Sequence, residues 1–252
     1  YRNNSGTSFS TVAIQGQGPS KPRGASWGDH DNDGFIDVHI GGYENENGYR
    51  SDIRVTNNQG TGLTTNWVQP NDAIVTPNRP RPARGITSAD FNRDGNIDIY
   101  VSNYRLEPNQ LWVNNGSGSF SDQAVEKGVE GTLTSGGWGH SIGSAVGDFN
   151  DDGEIDIFAA HFAHSGQTES QFFKNNGQSG NYTFQDMGQS GVQWQESYAS
   201  SALGDYDNDG DLDLFFTTVY ESDSPRMYRN DGNFNFTDVT SSLGLSGIGQ
   251  TY

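Results

Sequence analysis

Cysteine is absent from all 252 residues, which excludes both disulfides and thiolate metal sites and leaves no trace of the redox compartment. Positive charge is scarce: 14 Lys and Arg stand against 32 Asp and Glu, a formal charge of −18. A chain so poor in basic residues offers no face to the phosphates of nucleic acid. No apolar run reaches the roughly 18 residues that a membrane-spanning helix needs. There is no G-x-S-x-G elbow, P-loop or dinucleotide glycine fingerprint, which removes the common sequence signs of acyl transfer, nucleotide binding and hydride transfer. No segment sustains an i, i+3, i+4 apolar stripe, so little helix is expected. An opening at Tyr1 without Met or a secretory leader is what a processed or partial chain is expected to show.

What the chain does have is glycine, 34 residues of it, and aromatics at 12% within a hydrophobic content of only 31%. Low hydrophobicity with high net charge ordinarily signals disorder. Here the acidity is patterned instead. Four stretches share the form D-x-[DN]-x-D-G-x-[IL]-D: Asp29-His-Asp-Asn-Asp-Gly-Phe-Ile-Asp37, Asp90-Phe-Asn-Arg-Asp-Gly-Asn-Ile-Asp98, Asp148-Phe-Asn-Asp-Asp-Gly-Glu-Ile-Asp156 and Asp205-Tyr-Asp-Asn-Asp-Gly-Asp-Leu-Asp213. Their starts lie 61, 58 and 57 residues apart, which makes them an internal repeat as well as a chemical motif.

The chemistry is that of a hard cation. Ca²⁺ takes six to eight oxygens, and a tight loop can present them from alternate side chains and one backbone carbonyl. The first site is read as Asp29, Asp31, Asp33 and Asp37 with the Phe35 carbonyl, and the second as Asp90, Asn92, Asp94 and Asp98 with the Asn96 carbonyl. The third is Asp148, Asn150, Asp152 and Asp156 with the Glu154 carbonyl, and the fourth Asp205, Asp207, Asp209 and Asp213 with the Asp211 carbonyl. Gly34, Gly95, Gly153 and Gly210 make the bend. Unlike an EF-hand, the loop has no acidic residue at position twelve and no flanking helices. About four Ca²⁺ would bring the charge from −18 to about −10. Loops of this kind fill near millimolar calcium, so an extracellular location, secreted or cell-surface, is expected.

A second motif recurs after each loop: Val55-Thr-Asn-Asn-Gln-Gly60, Trp112-Val-Asn-Asn-Gly116, Phe173-Lys-Asn-Asn-Gly177 and Tyr228-Arg-Asn-Asp-Gly232, with a fifth copy at Tyr1-Arg-Asn-Asn-Ser-Gly6. Asn and Gly tolerate φ > 0, as hairpin turns require. An aromatic follows each, at Phe9, Trp67, Phe120, Phe184 and Phe236. Each repeat therefore reads as four strands, beginning near residues 24, 85, 143 and 200. Strand one is small and apolar, the aspartate loop leads into an alternating strand two, strand three enters the Asn-rich turn, and strand four carries the aromatic. Four-stranded tandem units imply an all-β fold, a β-propeller of antiparallel blades, with small residues where blades converge. Four complete blades are expected, plus partial blades at both ends. Tyr1 enters at a third strand, and Gly247 to Tyr252 reads as a first one. Residues 1–252 are one propeller domain or a fragment of a larger propeller.

The joint pattern, from the small strand through the aspartate loop to aromatic-x-N-N-G and its aromatic strand, resembles the FG-GAP/VCBS repeat family. The resemblance covers nearly the whole chain. It implies calcium-bearing blades, most often seven, as in integrin α-subunit heads, bacterial surface proteins and some fungal lectins. It also implies adhesion, lectin or enzyme-accessory roles. The leading expectation is a non-enzymatic extracellular binding or adhesion module for glycan or protein. Two alternatives stand beside it: a polysaccharide lyase or hydrolase on the same scaffold, and a structural subunit that self-assembles with neighbouring chains.

Other residues invite sharper readings. His140, His161 and His164 approach a metal-ligand spacing but read as surface-loop histidines, and His30, at a non-ligand loop position, is expected to point outward. Trp27, Trp112, Trp138 and Trp194, with Tyr43, Tyr104 and Tyr220, are candidates for stacking against sugars; Trp112 aligns with Phe173 and Tyr228 and is expected in the core. N-x-[ST] sequons occur at Asn3, Asn115, Asn181 and Asn235, all in or beside hairpin turns.

Overall fold

The fold was described from a computed structural model, which covers residues 2–3, 6–10, 23–42, 44–45, 48–49, 52–55, 67–68, 81–192, 198–220 and 222–249. A hairpin of β1 (Arg2–Asn3) and β2 (Phe9–Ser10) comes first. The first four-stranded sheet is β3 (Ala25–Gly28), β4 (Asp37–Ile40), β7 (Ile53–Val55) and β8 (Trp67–Val68). A small hairpin, β5 (Glu44–Asn45) with β6 (Gly48–Tyr49), lies between its second and third strands. The second sheet is β9 (Ala83–Ala89), β10 (Asp98–Asn103), β11 (Gln110–Asn114) and β12 (Phe120–Asp122). The third is β13 (Ser141–Gly147), β14 (Asp156–His161), β15 (Gln171–Asn175) and β16 (Phe184–Gly188). The fourth is β17 (Tyr198–Gly204), β18 (Asp213–Thr218), β19 (Arg226–Asn230) and β20 (Phe236–Asp238). Among the described residues, helix is confined to α1 (Ala124–Lys127) and a single 3-10 turn at Gln178–Gly180.

Every sheet is an antiparallel meander in sequence order, and its first strand lies against the first strand of the next: β3 on β9, β9 on β13, β13 on β17. These are the blades of a β-propeller, with first strands around the axis. Crowding there explains the small residues. A Cβ added to Gly85 would sit 2.7 Å from the Cα of Gly143, and one on Gly143 would sit 3.1 Å from the Ala199 carbonyl oxygen. The same inner strands are stitched by Thr87 Oγ1 to Ser144 Oγ at 2.7 Å.

Between blades the core is aromatic. Phe158 and Phe172 of the third blade meet Phe216, Tyr228 and Phe236 of the fourth, with Phe172 stacked on Phe236 at 4.7 Å. Tyr100 and Leu111 of the second meet Ile157 and Phe173 of the third. Alternation along strand two divides these contacts: Ile157 faces one neighbour and Phe158 the other, as period two demands. Each such fully buried side chain contributes about 1.5–3 kcal/mol. Trp112 lies in this core beside Ile99 and Phe120, as expected from the repeat.

Two terminal expectations meet different outcomes. The hairpin of β1 and β2 supplies the strand-turn-strand read from the first residues. Residues 247–249 form no strand. They follow a series of turns and begin with Gly247 at φ 84, and residues 250–252 lie outside the described residues.

Candidate metal centre

The four aspartate loops join strand one to strand two, and the position-nine aspartate is the first residue of strand two in every blade: Asp37, Asp98, Asp156 and Asp213. All four loops share one backbone course. The fourth residue lies in the left-handed region (Asn32 φ 58, Arg93 φ 55, Asp151 φ 57, Asn208 φ 62), and so does the glycine two residues later, at φ between 82 and 102.

The first aspartate holds the turn with both carboxylate oxygens. Asp29 accepts from the amides of Asp33 (3.1 Å) and Gly34 (2.9 Å), Asp90 from Asp94 (3.1 Å) and Gly95 (2.9 Å). Asp148 accepts from Asp152 (3.2 Å) and Gly153 (2.7 Å), and Asp205 from Asp209 (3.1 Å) and Gly210 (3.2 Å). The seventh residue's amide donates to the fifth side chain in each: Phe35 to Asp33, Asn96 to Asp94, Glu154 to Asp152, Asp211 to Asp209. The loops are therefore curled with their acidic side chains inward. In the first loop one oxygen each from Asp29, Asp31 and Asp33 lies within 4.8 Å of the others, and in the fourth loop so do Asp205, Asp207 and Asp209. The second and third loops place Asn92 and Asn150 at position three, where each amide donates to the position-five carboxylate at 3.1 and 2.9 Å. Asn150 Oδ1 is buried without a hydrogen-bond partner. Oxygens gathered by a closed loop, one of them an orphaned carbonyl, form a donor set suited to a hard cation.

Position nine sits apart from the acidic triads of the first and fourth loops. Its Oδ2 accepts the amide of the loop's second residue: His30 to Asp37, Phe91 to Asp98, Phe149 to Asp156 and Tyr206 to Asp213, at 3.0–3.1 Å. Its Oδ1 accepts the amide of the asparagine ending strand three: Asn114 to Asp98 at 2.8 Å, Asn175 to Asp156 at 2.7 Å and Asn230 to Asp213 at 2.9 Å. All four of these aspartates are buried. Burial outweighs the two amide bonds and pushes Asp98 and Asp156 up to about 7, while Asp213 moves upward for the same reason.

Those asparagines tie the blades together. Asn114 Nδ2 donates to the carbonyls of His30 in the preceding blade (2.9 Å) and Ile97 in its own (3.1 Å). Asn175 does the same to Phe91 (2.9 Å) and Ile155 (3.1 Å), and Asn230 to Phe149 (3.0 Å) and Leu212 (3.3 Å). A belt of hydrogen bonds thus runs from Asp37 through His30 and Asn114 to Asp98, and on through Phe91, Asn175, Asp156, Phe149 and Asn230 to Asp213. The Asn-Asn-Gly turn was expected to place Asn or Gly at φ > 0; Gly116, Gly177 and Gly232 take positive φ there, at 80, 60 and 86, and the first asparagine serves in addition as the latch. The signal was available in the repeat itself, since the first Asn is constant in every copy and the second becomes Asp231 in one.

The histidine expectations need correction. His30 is buried rather than outward-facing, its ring edge-on to Phe120 at 6.1 Å, because the second loop residue plugs the gap to the next blade. Phe91 and Phe149 fill the same place, whereas Tyr206 is 38% exposed. His161 is also buried, as the last residue of β14, with Nδ1 3.2 Å from the Thr168 carbonyl; His164 is exposed. Of the candidate platforms, Trp27 is 62% and Tyr220 41% exposed, Trp138 is half-buried, and Tyr43 and Trp194 lie outside the described residues. Asn115, Asn181 and Asn235 are exposed, and nothing is described of the Asn3 side chain.

Comparison with known proteins meets this geometry at the loops. The model of the FG-GAP-like repeat matches twice, over residues 90–159 and 148–216, which together span half of the chain and three of the four loops. The chain belongs to the FG-GAP-like repeat family. It is similar to cartilage acidic protein 1 of Xenopus tropicalis, 29% identical over 154 residues, which are 60% of this chain and 22% of that protein. The human protein of the same name is 28% identical over 148 residues, 58% of this chain and 21% of that one. The chain thus spans about a fifth of the length of these relatives. Among solved structures, an Agrocybe aegerita lectin described in its recognition of non-reducing terminal N-acetylglucosamine aligns with a TM-score of 0.45 and 21% identity, over 84% of this chain and 49% of that one. The V. cholerae biofilm matrix protein Bap1 aligns with a TM-score of 0.42 and 18% identity, over 91% and 41%. Among the described residues, no helix is long and apolar enough to cross a membrane.

Proposed function

We propose that this chain is a calcium-stabilised extracellular propeller that acts as a binding or adhesion module for a glycan or protein. One observation carries the reading: the two ends of the blades are built to different rules. At one end the same nine-residue acidic loop recurs four times with one backbone course. At the other, the connections between strands two and three differ from blade to blade in length and composition, over residues 41–52, 104–109, 162–170 and 219–225. A repeated end suits a structural role and a varied end suits recognition.

Each loop holds one Ca²⁺ on this reading, about four in all. Positions one, three and five and the carbonyl of position seven face the ion, and position nine closes the set from the strand while it clamps the neighbouring peptides. A bound cation relieves the repulsion among the gathered carboxylates and supplies structural rigidity. The blades behave as one propeller unit, which can also pack with neighbouring chains. The test is to immobilise the calcium-loaded protein and screen saccharides and extracellular proteins, with and without chelator. Capture that depends on calcium and releases no product is expected. Depolymerisation of an acidic polysaccharide would instead establish the enzymatic alternative.

A further inference from the structure

We propose that Lys174 is a built-in counter-cation for the third aspartate loop, which makes that loop the weakest of the four calcium sites and the one least dependent on calcium for its shape. The proposal rests on the calcium reading above and ranks the sites which that reading assigns. Its first observation is a contact within the third blade. The Lys174 ammonium donates to Oδ2 of Asp152, the fifth residue of the loop. The Asn150 amide donates to that same oxygen at 2.9 Å, so the ammonium lies on the oxygen that faces position three across the loop. The other oxygen, Oδ1, is taken by the Glu154 amide at 3.0 Å. The two side chains are 26% and 33% exposed, so solvent and salt screen the pair less than they would at a free surface.

The repeat supplies a comparison. Lys174 stands one residue before the latch asparagine and pairs with Gln185, and the same place is held by Val113 opposite Ser121 and by Arg229 opposite Thr237. Val113 brings no charge to the second loop. Arg229 bonds Asp231 in its own turn at 2.7 Å, and Asp207 acts on it through the field without a bond. The first-blade counterpart, Thr56, lies outside the described residues.

A second cation reaches the third loop from the preceding blade. Arg93, the left-handed fourth residue of the second loop, donates to the Gly153 carbonyl, and its Nε lies 3.3 Å from Glu154 Oε2. At the other two seams the same pair of positions carries no cation: Asn32 Nδ2 donates to Asn96 Oδ1 at 2.7 Å, and Asp151 meets Asp211. Two of the chain's 14 basic residues are thus placed on one loop. Arg93 holds its bend, and Lys174 offsets its charge.

Both effects bear on calcium. A divalent ion entering this loop must displace the ammonium from Asp152 and then stand within a few ångströms of it, where like charges repel appreciably even in water. The third loop also starts with fewer carboxylates than the fourth, because Asn150 stands where Asp207 does. Ligand charge count tunes calcium affinity, and an internal cation lowers the effective count further. The second loop shares the asparagine, at Asn92, but has Val113 in place of the lysine, so Lys174 ranks the third loop below it. When the ion leaves, Lys174 returns to the same oxygen and the loop keeps its course.

The test is calorimetric titration of calcium into chelator-stripped protein, with melts of the stripped samples. The wild-type protein should fill three sites before a fourth that binds about tenfold or more weakly. Asp152→Asn should delete that weak step and leave the others. Lys174→Met keeps the length and removes the charge; it should tighten the weak step by about tenfold and leave the others within about twofold. Stripped Lys174→Met should melt lower than the stripped wild type, by up to about 4 °C, because the loop has lost its counter-ion. Lys174→Arg should match the wild type in both measurements. A side chain that merely supports the fold would lower the stripped melt without tightening calcium. That result, or four equal sites in the wild type, would overturn the inference and leave the calcium reading standing. Absence of calcium binding in every variant would overturn both.

Discussion

Removing one inter-blade latch should cost the whole molecule. In Asn175→Ala the amide loses its bonds to the Phe91 carbonyl at 2.9 Å and the Ile155 carbonyl at 3.1 Å, and the side-chain oxygen no longer accepts the Gly177 amide at 3.0 Å. At about 1 kcal/mol for each bond, with two carbonyls left unsatisfied in a buried setting, the loss is about 3 kcal/mol. For a chain of this size that lowers the thermal midpoint by about 6–12 °C. The backbone bond from Asn175 to Asp156 is retained, so the strand register survives and the effect isolates the side chain. The neighbouring Asn176→Ala removes a single 3.3 Å bond to Thr183 in the turn and should move the midpoint by no more than about 2–4 °C. Circular dichroism melts of both variants in saturating calcium make the comparison. Equal, small shifts in the two variants would show that the asparagine belt does not hold the blades together.

Three further outcomes are expected. Asp207→Asn should weaken calcium at the fourth loop by about tenfold or more, yet raise the melting temperature of the chelator-treated protein, because it removes one of three converging carboxylates; a lower melt in both conditions would count against the ion site. Without a bound cation, Asp98 and Asp156 are raised from 3.8 to about 7 by burial, so they favour the fold most below pH 4 and that contribution is lost as the pH rises through 7. The chelator-treated protein should therefore melt higher at pH 5 than at pH 8, and the reverse order would contradict the burial argument. Gly95 sits at φ 86 and a Cβ added there would meet nothing within 4 Å, so Gly95→Ala should cost about 1 kcal/mol from the backbone alone, read as a melting shift of a few degrees.

Much of this fold is written locally, and that part was legible in the sequence. Alternation along Ile97 to Val101 and Ile155 to Phe158, punctuated by a nine-residue loop of fixed form, specifies strand, turn and strand without distant information. Strand one was less legible, because its small residues carry little pattern; only the packing of Gly85 against Gly143 explains them. The latch was not legible as chemistry. Asn114, Asn175 and Asn230 bond carbonyls 84, 84 and 81 residues away, and a turn motif gives no hint of that distance. His30 shows the same limit: a charged-looking loop residue is buried because the next blade covers it.

On the function proposed above, four acidic loops, coupled by the asparagine belt, hold calcium and thereby hold the blades. Calorimetric titration of calcium into chelator-stripped protein, followed by a melt of the loaded sample, tests that coupling. The expected result is about four ions per chain and a marked rise in melting temperature. A flat titration with an unchanged melt would contradict it.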